Sequence, residues 1–180
     1  MQRYILTGAP GAGKTVLIRA LERAGHAVVE EAATDVIALM TGRGVAEHWN
    51  EPSFIDEIVA LQIQRGQRAD ALTDEAVFFD RSPICTLALC EYAGRTPPDR
   101  LVEEMQRIER EGTFQRRVFF VRNLGFVTPT DARRISFEET VRFEAIHIDV
   151  YRRLGYDLVD VPAATLDERL RLVVSAVANR

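Results

Sequence analysis

Eight consecutive residues near the N-terminus have the types and spacing needed to hold phosphate groups. They match the pattern G-x-x-x-x-G-K-[ST] and run Gly8, Ala9, Pro10, Gly11, Ala12, Gly13, Lys14, Thr15. Glycine adopts backbone angles that let successive N–H groups point at one anion. Lys14 is placed to reach the β- and γ-phosphates of a nucleotide, and the Thr15 hydroxyl to hold Mg²⁺. The motif therefore predicts a nucleoside triphosphate site over residues 8–16, with Val16 as its last member.

The segments on both sides of this loop have the patterns that the motif requires. Residues 3–7 are apolar and β-prone, and apolar residues after the loop recur at helical spacing, namely Val16, Leu17, Ala20, Leu21 and Ala24. A helix that begins at the loop adds the positive end of its dipole. The alternative is a glycine-rich turn that binds nothing. Of the 23 basic residues, 22 are arginine and one is lysine, Lys14, which suits a site that needs a slim ammonium group rather than a broad guanidinium.

The composition indicates one globular α/β domain over residues 1–180. The chain is long enough for one buried core and too short for two of comparable size. Its hydrophobic fraction of 47% and charged fraction of 28% are ordinary for a globular protein. The net charge of −4 argues against nucleic acid or an anionic membrane as a necessary partner. Since the sequence shows neither a signal-peptide pattern nor an apolar run of membrane length, a cytoplasmic location is expected.

The cysteines and histidines predict no metal cluster. Cys85 and Cys90 lie five residues apart in a predicted helix, so they should not share a face, and both are expected to be reduced core residues. The three histidines, His26, His48 and His147, are scattered along the chain. The expected metal is therefore Mg²⁺ bound together with the nucleotide.

Strands and helices alternate along the rest of the chain. The patterns predict strands at 27–30, 75–80, 117–122 and 156–162, and helices at 31–40, 54–72, 84–92, 100–111, 136–154 and 166–177. Such alternation implies a parallel sheet with helices on both faces, and ligands of such sheets bind beyond the carboxyl ends of the strands. The groups expected to share that edge are the glycine loop, Glu30, Glu31, Asp80, Arg81 and the polar segment 123–136.

Asp80 and Arg81 follow a strand that is apolar almost to its end. An acidic residue in this position is predicted to hold Mg²⁺ or its waters. The alternative for Asp80 is a helix N-cap or turn, because a helix is predicted to start a few residues later. Arg81 is predicted to clamp a transferring or acceptor phosphate. Its alternative is an ordinary surface ion pair.

Glu30 and Glu31 end the second predicted strand. A carboxylate here could take a proton from an acceptor hydroxyl or position that hydroxyl. Glu31 is slightly favoured over Glu30. The alternative is that acidic residues merely favour the first turn of the following helix.

Two further sets of polar residues could contact a substrate. Arg133 and Arg134 lie in the polar segment 123–136 and are predicted to stabilise the charge of a migrating phosphoryl group when that segment closes. They could instead pair with acidic residues of the next helix, Glu138, Glu139 and Glu144. Gln62 and Arg65 could read the acceptor, or they could have only local structural partners.

With these motifs in hand, the chain resembles the P-loop kinase group. In that group an Asp-Arg or Glu-Arg pair follows the third strand, as in thymidylate kinase and the deoxynucleoside kinases. A closer resemblance is to a family of small predicted AAA-type ATPases related to the nicotinamide riboside kinases. The residues that carry it are Val28-Val29-Glu30-Glu31-Ala32-Ala33, Asp80-Arg81-Ser82, Asp131-x-Arg133 and Tyr151-x-x-Leu154-Gly155-Tyr156. The resemblance covers nearly the whole chain. However, the sequence shows neither the arginine finger of the second region of homology nor the C-terminal helical domain of true AAA⁺ machines.

The resemblance implies an α/β, three-layer P-loop NTPase fold whose five-stranded parallel sheet has the order 2-3-1-4-5. It implies that residues 31–75 form the acceptor-binding region and residues 123–137 the lid. Pro162 and Ala163 would lie near the nucleotide base. Nothing in the acceptor region matches a known thymidylate or nicotinamide riboside motif, so the acceptor stays open.

Two functions remain in competition. The first is a kinase in which ATP and Mg²⁺ phosphorylate a hydroxyl or phosphate of a small metabolite, with catalytic residues Lys14, Glu31, Asp80, Arg81, Arg133 and Arg134. The second is a nucleotide-dependent switch, with a plain hydrolase as a further variant. The sequence after the fourth strand, Val121-Arg122-Asn123-Leu124-Gly125, lacks the Asn-Lys-x-Asp pattern of guanine-selective switches, yet GTP is still open as the nucleotide. No nucleic acid or membrane partner is expected, and the chain could be a monomer or a homodimer.

Overall fold

The fold is built on one parallel β-sheet. The computed structural model describes residues 1–122 and 137–178. Its strands are β1 (Gln2–Thr7), β2 (Ala27–Val29), β3 (Ala76–Asp80), β4 (Arg117–Val121) and β5 (Asp157–Val161). All neighbouring strands pair in parallel in the order β2-β3-β1-β4-β5. The predicted α/β fold and strand order are confirmed.

The helices lie between the strands and cover both faces of the sheet. They are α1 (Lys14–Arg23), α2 (Ala32–Gly42), α3 (Phe54–Ala69), α4 (Pro83–Tyr92), α5 (Asp99–Glu111), α6 (Phe137–Arg153) and α7 (Leu166–Ala178). Several boundaries differ from the sequence prediction by one to three residues. Helix α2 begins one residue late because Glu31 is its extended N-cap residue, and α3 ends at Ala69 rather than at residue 72. A short 3₁₀ helix, His48–Asn50, replaces part of the predicted loop.

The central strands are buried on both sides, which explains their nearly continuous apolar sequences. Along β1, Ile5 faces a core formed with α4, α5 and α6, and Leu6 faces a core formed with α1 and α7. The same alternation occurs in β3, where Phe79 joins the first core and Phe78 the second. Side chains of a strand point to opposite faces in turn, so the sheet is the middle of three layers.

A third core holds α2 and α3 against the rest of the domain. Val36 and Met40 of α2 and Ile58 of α3 pack with Leu101 of α5 in this cluster. It also contains Cys90, whereas Cys85 belongs to the core between the sheet and α6. Both cysteines are therefore core residues on different faces of α4, as predicted. Within residues 1–122 and 137–178, no helix is long and apolar enough to traverse a bilayer.

Candidate nucleotide-binding site

The glycines of the loop between β1 and α1 have backbone angles that other residues rarely adopt. The φ angles are 135° at Gly8, 80° at Gly11 and 83° at Gly13. At Gly8 a Cβ atom would lie 2.3 Å from the Val121 carbonyl oxygen, so no side chain fits there. This close approach places the loop directly over the end of β4. The loop is thus curled at the carboxyl edge of the sheet, in the form that phosphate binding requires.

Lys14 is turned back toward the loop that precedes its helix. Its side chain is only 5% exposed, and its Nζ donates to the Ala9 carbonyl oxygen at 2.7 Å. The first turn of α1 contains no acidic residue, while Thr15 and Val16 are exposed. The first backbone N–H groups of a helix have no partner within it. The loop and the start of α1 therefore offer one buried ammonium group and several N–H donors to an anion.

Asp80 lies beside this loop. It is the last residue of β3, it pairs in register with Leu6 of β1, and it is 5% exposed. The Arg81 backbone N–H then donates to the Leu6 carbonyl oxygen at 3.0 Å, so β1 and β3 stay hydrogen-bonded up to the glycine loop. The N-cap of α4 is Ser82, which excludes the alternative that Asp80 caps that helix.

Oxygen donors suit Mg²⁺, and the edge of the sheet supplies two. They are the Thr15 hydroxyl and the Asp80 carboxylate. The described part of the chain contains no group of three or more His, Cys, Asp or Glu residues that could hold a metal without help. A magnesium ion at this edge would therefore take its remaining ligands from phosphate oxygens and water.

Arg81 forms an ion pair with Glu31, and neither is a surface residue. Arg81 Nε donates to Glu31 Oε1, and the two side chains are 10% and 12% exposed. Burial acts to lower the pKa of Arg81, but Glu31, Cys85 and Asp80 together more than offset it, so the pKa is raised and the guanidinium stays charged. Among the described residues, Arg81 is the one non-glycine residue with a positive φ, 69°. Backbone strain of this kind is concentrated at functional sites.

The structure distinguishes Glu31 from Glu30. Glu30 pairs with Arg19 at the surface, whereas Glu31 faces Arg81. Arg65 fixes this turn because its Nη1 donates to the carbonyl oxygens of Glu30 and Glu31, at 3.1 and 2.7 Å, and its Nη2 pairs with Asp35. The carboxylate that reaches toward the end of β3 is therefore that of Glu31.

The other sequence candidates divide into described and undescribed residues. Gln62 accepts a hydrogen bond from Thr86 Oγ1 at 2.9 Å. This contact fits the alternative in which Gln62 has a structural partner within the protein. Arg133 and Arg134 lie outside the described residues. Glu144, one of their suggested partners, pairs instead with Arg122, at 2.6 Å from Nη1.

Arg169 of α7 contacts the loop and was missed by the sequence reasoning. It is 4% exposed and donates to three carbonyl oxygens: Nη1 to Ala12 at 2.8 Å, Nε to Pro162 at 2.8 Å and Nη2 to Arg122 at 3.2 Å. Burial lowers its pKa. The signal in the sequence is an arginine on the apolar side of α7, one turn before the buried Val173. Arg169 joins the loop to the ends of β4 and β5.

A buried polar cluster connects α6 to the same edge. The Tyr151 hydroxyl lies 3.0 Å from both Ser82 Oγ and Cys85 Sγ, and Thr7 Oγ1 lies 3.1 Å from Cys85 Sγ. Burial, together with the nearby Cys85, raises the pKa of Tyr151 well above its usual range. The hydroxyl therefore stays protonated and can donate one hydrogen bond while it accepts another. These contacts fix the position of Ser82, the residue that follows Arg81.

His147 lies one turn before Tyr151 on α6 and is buried. Its Nδ1 lies 3.1 Å from the Phe143 carbonyl oxygen, so Nδ1 carries the proton and Nε2 is an acceptor. Burial, followed by the positive charges of Arg81 and Lys14, lowers the pKa of His147 to about 3. The imidazole is therefore neutral in the folded protein.

This neutral histidine predicts a loss of stability in acid. Between pH 6.5 and about 3 the unfolded chain binds a proton that the folded chain does not, so the free energy of unfolding falls as the pH falls. The slope for one proton is about 1.4 kcal/mol per pH unit. We expect His147→Gln to remove that contribution from urea-unfolding free energies measured across this range. His26→Gln, at a half-exposed histidine, is the matched control, and an unchanged slope in His147→Gln would contradict the prediction.

Comparison with known proteins agrees with this geometry. Residues 3–169 match the family model described as AAA domain. No curated protein matches the chain in sequence. Among solved structures, deoxyadenosine kinase from M. mycoides with dCMP and dCDP bound is similar, with a TM-score of 0.65 and 13% identity over 99% of this chain and 100% of that one.

Two further solved structures share the fold. The NadR protein in complex with NAD and AMP-PNP has a TM-score of 0.69 and 15% identity, covering 98% of this chain and 49% of that one. Thymidylate kinase from Candida albicans has a TM-score of 0.60 and 10% identity, covering 98% and 91%. At these identities the likeness establishes the fold, which is that of P-loop kinases. Because the family model matches nearly the whole chain, the protein belongs to the AAA domain family, and its fold is the one that these P-loop kinases share.

Proposed function

We propose that the protein is a Mg²⁺-dependent phosphotransferase that moves the γ-phosphate of ATP to a small metabolite. The observation that carries the proposal is the placement of three groups at the ends of three adjacent strands. Glu31 follows β2, Asp80 and Arg81 end β3, and the glycine loop follows β1. A phosphate-binding loop, a buried carboxylate and an acid–arginine pair are the parts that phosphoryl transfer needs.

Each group has a role in this proposal. The loop N–H groups and the Lys14 ammonium bind the β- and γ-phosphates, and Thr15 and Asp80 would hold Mg²⁺, which neutralises phosphate charge when bound. Glu31 orients the acceptor and takes its proton. Arg81 stabilises the charge on the migrating group. Arg133 and Arg134 are proposed to assist from the lid, 123–137.

The solved neighbours support a nucleotide as one substrate. Deoxyadenosine kinase has been solved with dATP and with dCMP and dCDP, and the NadR protein with NAD and AMP-PNP. We propose a nucleoside- or cofactor-like acceptor on the same basis, bound in the region 31–75. The Glu31 carboxylate and Arg81, beside the loop, favour a phosphotransferase over a nucleotide-dependent switch. A switch needs no residue that can take a proton from an acceptor.

A direct assay tests the proposal. The protein is incubated with Mg²⁺, γ-labelled ATP or GTP, and a panel of nucleosides, nucleotides and pyridine-containing cofactor precursors, and the labelled products are separated. We expect label in an organic product, none without Mg²⁺, and an acceptor whose binding raises the melting temperature more when a non-hydrolysable ATP analogue is present. Label released only as inorganic phosphate would identify a hydrolase, and nucleotide binding without turnover would identify a switch.

A further inference from the structure

Two carboxylates lie at the edge of the sheet where the acceptor would bind, those of Glu31 and Asp80. Residues 31–75 contain nine acidic residues and three arginines. Three of the acidic residues, Asp70, Asp74 and Glu75, lie between α3 and β3, away from this edge, so the argument depends on Glu31 and Asp80. A phosphate ester brings close to two negative charges at neutral pH. An acceptor that already carried a phosphate would therefore enter a region of its own sign.

Three arginines of this side, Arg43, Arg65 and Arg81, already have acidic partners. Arg81 pairs with Glu31, and Arg65 holds two carbonyl oxygens of the turn and the carboxylate of Asp35. Arg43 lies 3.7 Å from the Glu57 carboxylate. Arg68 lies one turn beyond Arg65 and lines a cavity beside the edge strand β2 with Val29 and Glu30, and neither Arg81 nor Glu31 lines that cavity. An acceptor phosphate needs guanidinium or ammonium donors, so here it would have to displace existing partners.

The cost of displacement is greatest at Arg81. Its Nε holds Glu31 and its other N–H groups are assigned to the migrating phosphoryl group, so binding an acceptor phosphate as well would draw the guanidinium away from the nearly buried Glu31 carboxylate. The phosphate would also lie beside both Glu31 and Asp80, which are anions themselves. A hydroxyl has neither problem, because it donates a hydrogen bond to a carboxylate that can accept several.

From this arrangement we propose that the acceptor is an alcohol that carries no phosphate group and whose body is uncharged or cationic. The inference rests on the proposed function and narrows it. The fold does not make this choice, since its solved neighbours include one kinase named for a nucleoside and one named for a nucleotide. In the reaction the hydroxyl oxygen bonds to the γ-phosphorus, the bond from that phosphorus to the β–γ bridging oxygen breaks, and ADP leaves. The hydroxyl proton passes to Glu31.

Matched acceptor pairs test the inference. Each pair consists of a ribonucleoside, a deoxyribonucleoside or a pyridine riboside and its 5′-monophosphate, and kcat/KM is measured for ATP-dependent phosphorylation of each by product mass. We expect the phosphate-free member to be preferred by about 100-fold, since like charges brought together in a binding site cost several kcal/mol. A preference for monophosphates would overturn the inference and leave the proposed function standing. Transfer to neither class, with ATP still bound, would remove both.

Charge variants test whether the Glu31 carboxylate itself, rather than the overall charge of the protein, causes the discrimination against monophosphates. Glu31→Gln is expected to slow transfer to alcohols and to reduce the discrimination against monophosphates. Asp149→Asn makes the same change of charge on the exposed face of α6, where Asp149 pairs with Arg153. That control should keep the wild-type preference. Discrimination that is unchanged in Glu31→Gln, or lost equally in Asp149→Asn, would contradict a local electrostatic cause.

Discussion

Replacing Lys14 with methionine is expected to slow phosphoryl transfer about 1000-fold, the size of effect seen when a charge-stabilising donor is removed from an active site. Lys14 is 5% exposed and its ammonium lies over the loop, 2.7 Å from the Ala9 carbonyl oxygen. Methionine has a similar length and packs in apolar surroundings, so the variant removes the charge while keeping the bulk. Single-turnover rates with Mg²⁺–ATP and an acceptor found in the panel measure the effect.

The Lys14→Arg variant shows whether the cradle requires an ammonium or only a positive charge. A guanidinium is broader and planar, and the space beside Ala9 is buried, so we expect arginine to recover little of the rate. Melting temperatures of both variants without nucleotide show whether the fold is intact. Wild-type turnover and nucleotide affinity in Lys14→Met would refute the assignment of the loop.

The parts of the fold that could be predicted are those with a local cause. The strand β3 was predicted from Val77, Phe78 and Phe79, because burial on both faces leaves an uninterrupted apolar run that ends at an acid. The glycine loop was predicted because its pattern is contiguous in sequence. The order of the strands came from the family resemblance, since periodicity alone does not say which strands are neighbours.

The choice between neighbouring acids could not be made from sequence. Glu30 and Glu31 have the same chemistry and are adjacent, and what separates them is the end of β2 at Val29 and the position of Arg81, fifty residues away. The 31–75 and 123–137 assignments stay predictions, as do the roles of the site residues.

The buried face of α6 shows a second limit. Its apolar residues at helical spacing are Phe143, Ile146, Val150 and Leu154, but His147 and Tyr151 are wholly buried while Ile146 and Leu154 are partly exposed. Polar residues occupy that face because their partners, Phe143 and Ser82, lie inside the domain. A hydrophobicity pattern predicts that such residues lie at the surface, and only the packed structure shows the buried partners of the His147 Nδ1 and Tyr151 hydroxyl groups.

Arg169 shows the same limit most clearly and gives the second large prediction. Its contact with Ala12 joins residues 157 positions apart, so no local sequence pattern indicates it. Arg169→Met would leave the carbonyl oxygens of Ala12, Pro162 and Arg122 without this donor, and an unsatisfied buried group costs about 1–3 kcal/mol. We expect the free energy of unfolding to fall by about 3 kcal/mol, and the affinity for a non-hydrolysable ATP analogue to fall at least about tenfold, because the glycine loop loses its link to α7.

Arg171→Met is the matched control for this variant. Arg171 lies on the same helix, is exposed, and donates from Nε to the Asp167 carbonyl of its own helix at 3.2 Å. It should retain both stability and nucleotide affinity. Urea unfolding and calorimetric titration with the analogue, at a temperature where each variant is folded, measure the two effects separately. If Arg169→Met lost stability but bound the analogue with wild-type affinity, Arg169 would only anchor α7, and the geometry of the loop would not depend on it.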